Sequence, residues 1–102
     1  MKKSLLITLG HNSSAIFVDG DGRVIGYEQE RLDGIKASSR FPQDAINEIV
    51  KNVGFHAMKG CSIFISHWFD TDVKPYGNKY MSDTDYANLQ FISEDINFTR
   101  NE

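Results

Sequence analysis

The sequence predicts an α/β domain in which a three-strand antiparallel meander is followed by a helix and a parallel strand. Three observations carry this. Three apolar runs, Leu5–Leu9, Ala15–Val18 and Val24–Tyr27, lie close together and are separated by short polar, glycine-bearing connections. Ala45, Ile46, Ile49, Val50 and Val53 recur at helical spacing. A further apolar run, Ile63-Phe64-Ile65, follows that helix, as in a crossover that returns the chain to the sheet.

Ser4–Leu9 is a near-continuous apolar run, as expected of a central strand covered on both faces, and Gly10 ends it. Ser14–Val18 and Arg23–Tyr27 flank Asp19-Gly20-Asp21-Gly22. Paired Asp-Gly steps between apolar runs signal a hairpin, because glycine takes positive φ without a Cβ clash. Glu28–Leu32 continues or exits the third strand. Asp33–Arg40 contains Gly34, Ser38 and Ser39 with no apolar period and reads as a loop. Phe41 precedes Pro42 and so avoids helical φ/ψ, while Pro42 suits the first helical position. Pro42–Val53 is the clearest helix, closed by Gly54. Phe55–Gly60 is a connector and Cys61–Ser66 a buried strand. His67-Trp68-Phe69-Asp70 then opens a loop through Tyr80 that contains Pro75 and Gly77. Ser82 and Asp85 have capping-box spacing, so a second helix runs from Ser82 to about Ile92 with Tyr86, Leu89 and Ile92 inward. Ser93–Glu102 is weakly patterned, with Ile96–Thr99 a candidate strand.

With 102 residues there is room for one small domain with a core of its own. The formal charge of −3, and the lack of any basic run beyond Lys2-Lys3, argue against a nucleic-acid or anionic-membrane partner. The single Cys61 cannot form an internal disulfide and is most simply a small buried hydrophobe. The apolar run after Lys2-Lys3 is too short for a signal peptide, so a cytoplasmic location is expected. No run is long enough to span a bilayer. Two glycosylation sequons, at Asn12 and Asn97, would be idle there.

The chemistry-bearing stretch is Gly10-His11-Asn12-Ser13-Ser14, a small polar loop leaving a buried strand. There a ligand can meet backbone N–H groups together with hydroxyl and imidazole side chains. His11 is the candidate catalytic group, as a base for an acceptor hydroxyl or as a partner orienting a carbonyl. The plain alternative is a loop histidine bonded to backbone. Ser13 and Ser14 can donate to phosphate or carbonyl oxygens, or serve ordinary turn chemistry. Lys36, on a Gly/Ser-rich loop, is either a point charge for substrate or a solvated lysine. Glu28, Glu30 and Arg31 alternate in charge, as an edge with surface ion pairs or as supports for the loop beside the site. His67 and Trp68 follow a buried strand, where ligand contacts often sit, and Trp68 is either a stacking platform or a core or interface anchor. His67, Asp70 and Asp72 make only a weak metal-ligand set, and no metal-binding residue is assigned.

Together, Gly10-His11-Asn12-Ser13-Ser14-Ala15, the Asp-Gly turn, Glu28-Gln29-Glu30-Arg31, Lys36 and Phe41-Pro42 with Ala45-Ile46 resemble the amino-terminal region of the O-carbamoyltransferases of nodulation-factor and antibiotic biosynthesis. That family begins with G-H-D/N-S-S-A, a turn, E-E-E-R, a lysine and F-P-x-x-A-I, in this order. Asn12 stands for the commoner Asp and Gln29 for the middle Glu. The resemblance covers about the first half of the chain.

The resemblance implies a partial actin-like (ribonuclease H-like) lobe, the ATPase fold shared with sugar kinases. It implies an enzyme that makes carbamoyl adenylate from carbamoyl phosphate and ATP and transfers the carbamoyl group to a hydroxyl of a small molecule. It also implies an iron-type metal held by a later H-H-x-x-H-A motif, which this sequence, with His11, His56 and His67, does not contain. The chain is therefore expected to be an amino-terminal piece of such an enzyme, not catalysing a full turnover alone, with no cofactor held entirely within it. A second polypeptide or self-association is expected to complete the sheet. Two other readings stand beside this one. One is a phosphate-binding lobe of another actin-like protein, which would favour a D-x-G-T loop. The other is a non-catalytic binding or interaction module derived from the family.

Overall fold

A computed structural model describes residues 2–67 and 79–100. They form a mixed α/β domain around one five-stranded sheet of order β3-β2-β1-β4-β5. The strands are β1 (Ser4–Thr8), β2 (Ser14–Val18), β3 (Val24–Glu28), β4 (Ser62–His67) and β5 (Ile96–Arg100). The helices are α1 (Gln29–Asp33), α2 (Gln43–Val53), α3 (Phe55–Met58) and α4 (Asp83–Ile92). Strands β1 to β3 are the antiparallel meander, and β1, β4 and β5 run parallel.

The β2–β3 turn shows why the sequence is written with two Asp-Gly steps. Asp19 Oδ1 accepts from the N–H groups of Asp21 at 2.8 Å and Arg23 at 2.9 Å. Gly22 adopts φ 86°, the left-handed region that an L side chain resists. The side chain thus builds the turn locally, before any tertiary contact is made.

Among the described residues, all the helical cover lies on one face of the sheet. Leu5, Ile7, Ala15, Phe17, Ile63 and Ile65 are buried there beneath Ala45, Ile46 and Ile49 of α2, Met58 of α3, and Leu89 and Ile92 of α4. Full burial of Ile46 and Ile49 is worth roughly 1.5–3 kcal/mol each. Ser82 caps α4 as its spacing predicts: its hydroxyl accepts from Asp85 N–H at 3.1 Å and the Asp85 carboxylate accepts from Ser82 N–H at 2.9 Å. Tyr86 is half-buried and stacks on Phe98, with ring centroids 6.1 Å apart.

Three local expectations are corrected. β1 is central in the sheet but not covered on both faces, since Leu6 is 39% exposed on the open side. Of the two readings of Glu28–Leu32, the exit holds: the chain turns into α1 at Gln29, whose N–H donates to Ser13 O at 2.9 Å and whose side chain is buried. Pro42 stands at the N-cap of α2, with φ −77° and ψ 53°, and the helix begins at Gln43. The Phe55–Gly60 connector contains the single turn α3, formed because Met58 seats in the core. Cys61 is buried just before β4, and burial pushes its thiol pKa up. The predicted loop from Trp68 through Asn78 lies outside the described residues.

Candidate functional site

The loop after β1 is bent by two left-handed residues, Gly10 at φ 98° and Asn12 at φ 60°. Asparagine tolerates this better than most side chains because its short amide can bond locally. His11 and Asn12 are exposed, and neither amide donates to another described residue. Both N–H groups are therefore available to an acceptor from solution.

Ser13 returns the chain to the interior and joins three segments. It is fully buried. Its N–H donates to Ser38 O at 3.0 Å, its hydroxyl donates to Arg40 O at 2.6 Å, and its carbonyl accepts from Gln29 N–H at 2.9 Å. The hydroxyl that the sequence offered to a ligand is engaged with backbone. Its effect is to hold the 34–40 loop, and with it Lys36, against the loop that carries His11.

The 34–40 loop is shaped by acids from α1. Asp33 accepts from Ile35 N–H at 2.8 Å and from the Ser38 hydroxyl at 2.6 Å. The Ser38 hydroxyl above all, helped by Ile35 N–H, Gln29 and the Arg40 charge, holds the Asp33 carboxyl below its usual range against an opposing effect of desolvation. Glu30 Oε2 accepts from Ala37 N–H at 2.9 Å, fixing Ala37 at φ 52°. Lys36 and Arg40 are exposed on this loop, two cations at the same end of the sheet as His11.

Ser14 opens β2 and faces the uncovered side of the sheet. The registers pair Glu28 with Ser14, Ser14 with Thr8, Thr8 with Ser66 and Ser66 with Thr99. One row across all five strands is thus a carboxylate followed by four hydroxyl side chains. The next row inward is Gly26, Ile16, Leu6, Phe64 and Asn97. A hydroxyl row beside a row whose centre is Ile16, Leu6 and Phe64 suits a ligand with a polar edge and an apolar face, as a sugar-like molecule has. A cavity of about 330 Å³ at the β2–β3 end of these rows is lined by Asn12, Ser14, Ile16, Val24, Gly26, Tyr27 and Glu28.

His67 is the last residue of β4 and only 4% exposed. The register that pairs Thr8 with Ser66 sets it beside Leu9, and strand alternation puts it on the helix-covered face with Ile63 and Ile65. It therefore lies near the loop but on the other side of the sheet from Ser14. Trp68 lies outside the described residues.

His11, Ser13, Ser14 and Lys36 are thus gathered at one end of the sheet. Sequence reasoning missed the hydroxyls of Thr8, Ser66 and Thr99, because the row exists only once strands distant in sequence are paired. It also missed Gln29, whose departure from the family pattern was the available signal.

Among the described residues no group of three His, Cys, Asp or Glu could hold a metal ion, and the family's histidine motif is absent from the sequence, so these residues do not fit the iron-type metal. A phosphoryl group fits better, against the His11 and Asn12 amides with Lys36 and Arg40 nearby. No helix among the described residues is long and apolar enough to cross a membrane. No family model, curated protein or solved structure matches this chain.

Proposed function

We propose that this chain serves an O-carbamoyltransferase as the amino-terminal part of an actin-like (ribonuclease H-like) lobe. In this reading it binds the phosphorylated carbamoyl donor and orients a small hydroxylated acceptor. The observation that carries the reading is the junction of two features: the Gly10–Ser14 loop with its cationic neighbour, and the hydroxyl row that begins beside it. The motif order and the strand order β3-β2-β1-β4-β5 support it.

The roles follow from chemistry. The His11 and Asn12 amides and Lys36 hold the donor's phosphoryl oxygens. Ser14 and Thr8 hold acceptor hydroxyls on the open face, while further along the row the Thr99 hydroxyl donates to Ile65 O at 3.4 Å. His11 takes the proton from the reacting hydroxyl as its oxygen bonds to the carbamoyl carbon. The bond from that carbon to the adenylate's phosphate oxygen breaks, and AMP leaves with the electron pair. No step is routed through iron.

The test is a titration of the isotope-labelled chain with carbamoyl phosphate and, separately, inorganic phosphate, followed by amide resonances. Carbamoyl phosphate is expected to move His11, Asn12, Ser14 and Lys36, with binding weakened about tenfold by Lys36→Ala, the scale of one lost charged contact. Silence of these resonances at millimolar ligand in a folded protein overturns the reading. It would favour the non-catalytic module, for which one observation already speaks: Ser13, Gln29 and Glu30 of the motif all serve internal hydrogen bonds.

A further inference from the structure

The chain carries three Asp-Gly steps, Asp19-Gly20, Asp21-Gly22 and Asp33-Gly34. Residue type makes them equal candidates for one reaction. Glycine has no Cβ to hinder attack by its main-chain nitrogen on the side-chain carboxyl that precedes it. The hydrogen bonds around the three steps make them unequal.

At Asp33-Gly34 both reacting groups are held. One carboxylate oxygen accepts from Ile35 N–H at 2.8 Å and the other from the Ser38 hydroxyl at 2.6 Å, while Gly34 N–H donates to Glu30 O at 2.9 Å. At Asp19-Gly20 the carboxylate is held. Asp19 Oδ1 accepts from the N–H groups of Asp21 and Arg23, which ties the side chain to later residues and not to Gly20. The Asp21 side chain has no such restraint. It is exposed, and its carboxylate accepts no hydrogen bond from a described residue. The attacking nitrogen, that of Gly22, is restrained by its turn bond to Asp19 O at 3.1 Å. That bond lies at an exposed hairpin tip, where opening uncovers no core.

We infer that Asp21 is a modification site, the position at which this folded chain forms isoaspartate. The Gly22 nitrogen attacks the carbon of the Asp21 side-chain carboxyl. The new N–C bond closes a cyclic imide, and a carboxyl oxygen leaves as water with the nitrogen's proton. Water then adds back at either imide carbonyl. Cleavage at the side-chain carbonyl restores aspartate. Cleavage at the main-chain carbonyl routes the chain through the Asp21 side chain and leaves a free α-carboxylate. Water lost equals water regained, no electrons are transferred, and the mass of the chain is unchanged.

The product adds a methylene to the main chain between Gly20 and Gly22. It does so at the connection to β3, which pairs only with β2 among the described residues. Val24, Gly26 and Glu28 of β3 line the cavity of the candidate site, so the modification acts on the strand that walls it. The new α-carboxylate at the exposed tip is the group that a methyl-transferring repair enzyme takes as substrate. The inference is independent of the carbamoyl reading.

Ageing of the whole folded chain at neutral pH tests it, followed by proteolysis and fragment mass spectrometry, beside the same chain aged in denaturant. The folded chain is expected to form isoaspartate at Asp21 about tenfold or more faster than at Asp19 or Asp33, the scale of one charge-assisted hydrogen bond. The denatured chain is expected to convert all three steps at similar rates. An isoaspartate-specific methyltransferase with a labelled methyl donor is expected to label the aged folded chain. Asp21→Glu, a change at the exposed tip, is expected to abolish that label, because glutamate closes the corresponding ring far more slowly. Circular dichroism checks that the aged parent and the variant are folded. Equal conversion of the three steps in the folded chain, the same preference for Asp21 in denaturant, no isoaspartate at Asp21 once the denatured chain has converted, or a label absent from the parent or surviving Asp21→Glu overturns the inference.

Discussion

The Gln29 carboxamide donates to Asp44 Oδ2 at 2.8 Å while its oxygen accepts from Ala45 N–H at 3.2 Å. One buried amide on α1 thereby caps α2, a duty its own N-cap, Pro42, cannot perform because proline has no hydroxyl, amide or carboxylate to offer. Asparagine, aspartate, serine or threonine in place of Pro42 would cap locally. Here the cap comes from a residue 16 positions away, measured to Ala45.

Gln29→Ala is accordingly expected to lower stability by about 1–2 kcal/mol, the scale of a lost cap. Gln29→Glu restores the residue common in the resembling family but sets a second carboxylate against Asp44. It is expected to be destabilised at neutral pH and to recover partly in mild acid, where the introduced carboxyl is protonated and can donate as the amide does. Thermal denaturation across pH separates the two variants, and a Gln29→Glu protein as stable as the parent at pH 7 would remove this account.

Ser13→Ala deletes the buried donor to Arg40 O and leaves that carbonyl without it. The expected cost is about 1 kcal/mol. The 34–40 loop should loosen specifically, read as faster amide exchange at Ser38, whose carbonyl and hydroxyl both lie in this junction. Uniform loosening of the whole sheet would assign Ser13 a global role instead.

Ala37 at φ 52° is a non-glycine residue in the left-handed region, held there by Glu30. Ala37→Gly removes the Cβ clash and is expected to raise stability by about 0.5–1 kcal/mol, less the entropy that glycine gains unfolded. Glu30→Gln weakens the clamp and should lower the benefit of the glycine. A denaturation midpoint that falls for Ala37→Gly contradicts the strain assignment.

Asp33 and Asp95 both have carboxyl pKa values lowered from 3.8, Asp33 chiefly by the Ser38 hydroxyl and Asp95 by the Ser62 hydroxyl, with Asn97 and Lys2 assisting. A depressed carboxyl means the unfolded chain binds more protons than the folded one in that window. The stabilisation is complete above the unfolded value and is lost as pH falls through the folded values. Asp95→Asn should therefore flatten the acid limb of stability below about pH 4–5. An unchanged limb would show that Asp95 does not drive it.

Much of the fold is legible in the chain. The Asp19–Gly22 turn, the α2 stripe and the Ser82–Asp85 box are each encoded within one turn or hairpin, where backbone sterics and a nearby side chain decide the outcome. The site is legible only as a list. His11, Ser14 and Lys36 can be named from residue type, but Ser13 looks the same as Ser14 in sequence. One hydroxyl is buried on Arg40 O and the other lines a cavity. The difference is the side of the strand on which each lies and which loop closes over it.

The meander, the two main helices, the strand that follows α2 and the polar loop after β1 were all written in the order of residues, because each depends on periodicity and turn chemistry over a few positions. Folding in three dimensions settled the rest: that β1 would pair with β4, that the helical cover of the described residues would fall on one face, and that Glu28, Ser14, Thr8, Ser66 and Thr99 would form one row. Those outcomes rest on contacts between segments tens of residues apart. Their favourable burial and hydrogen bonding exist only after loop closure, so no local pattern records them.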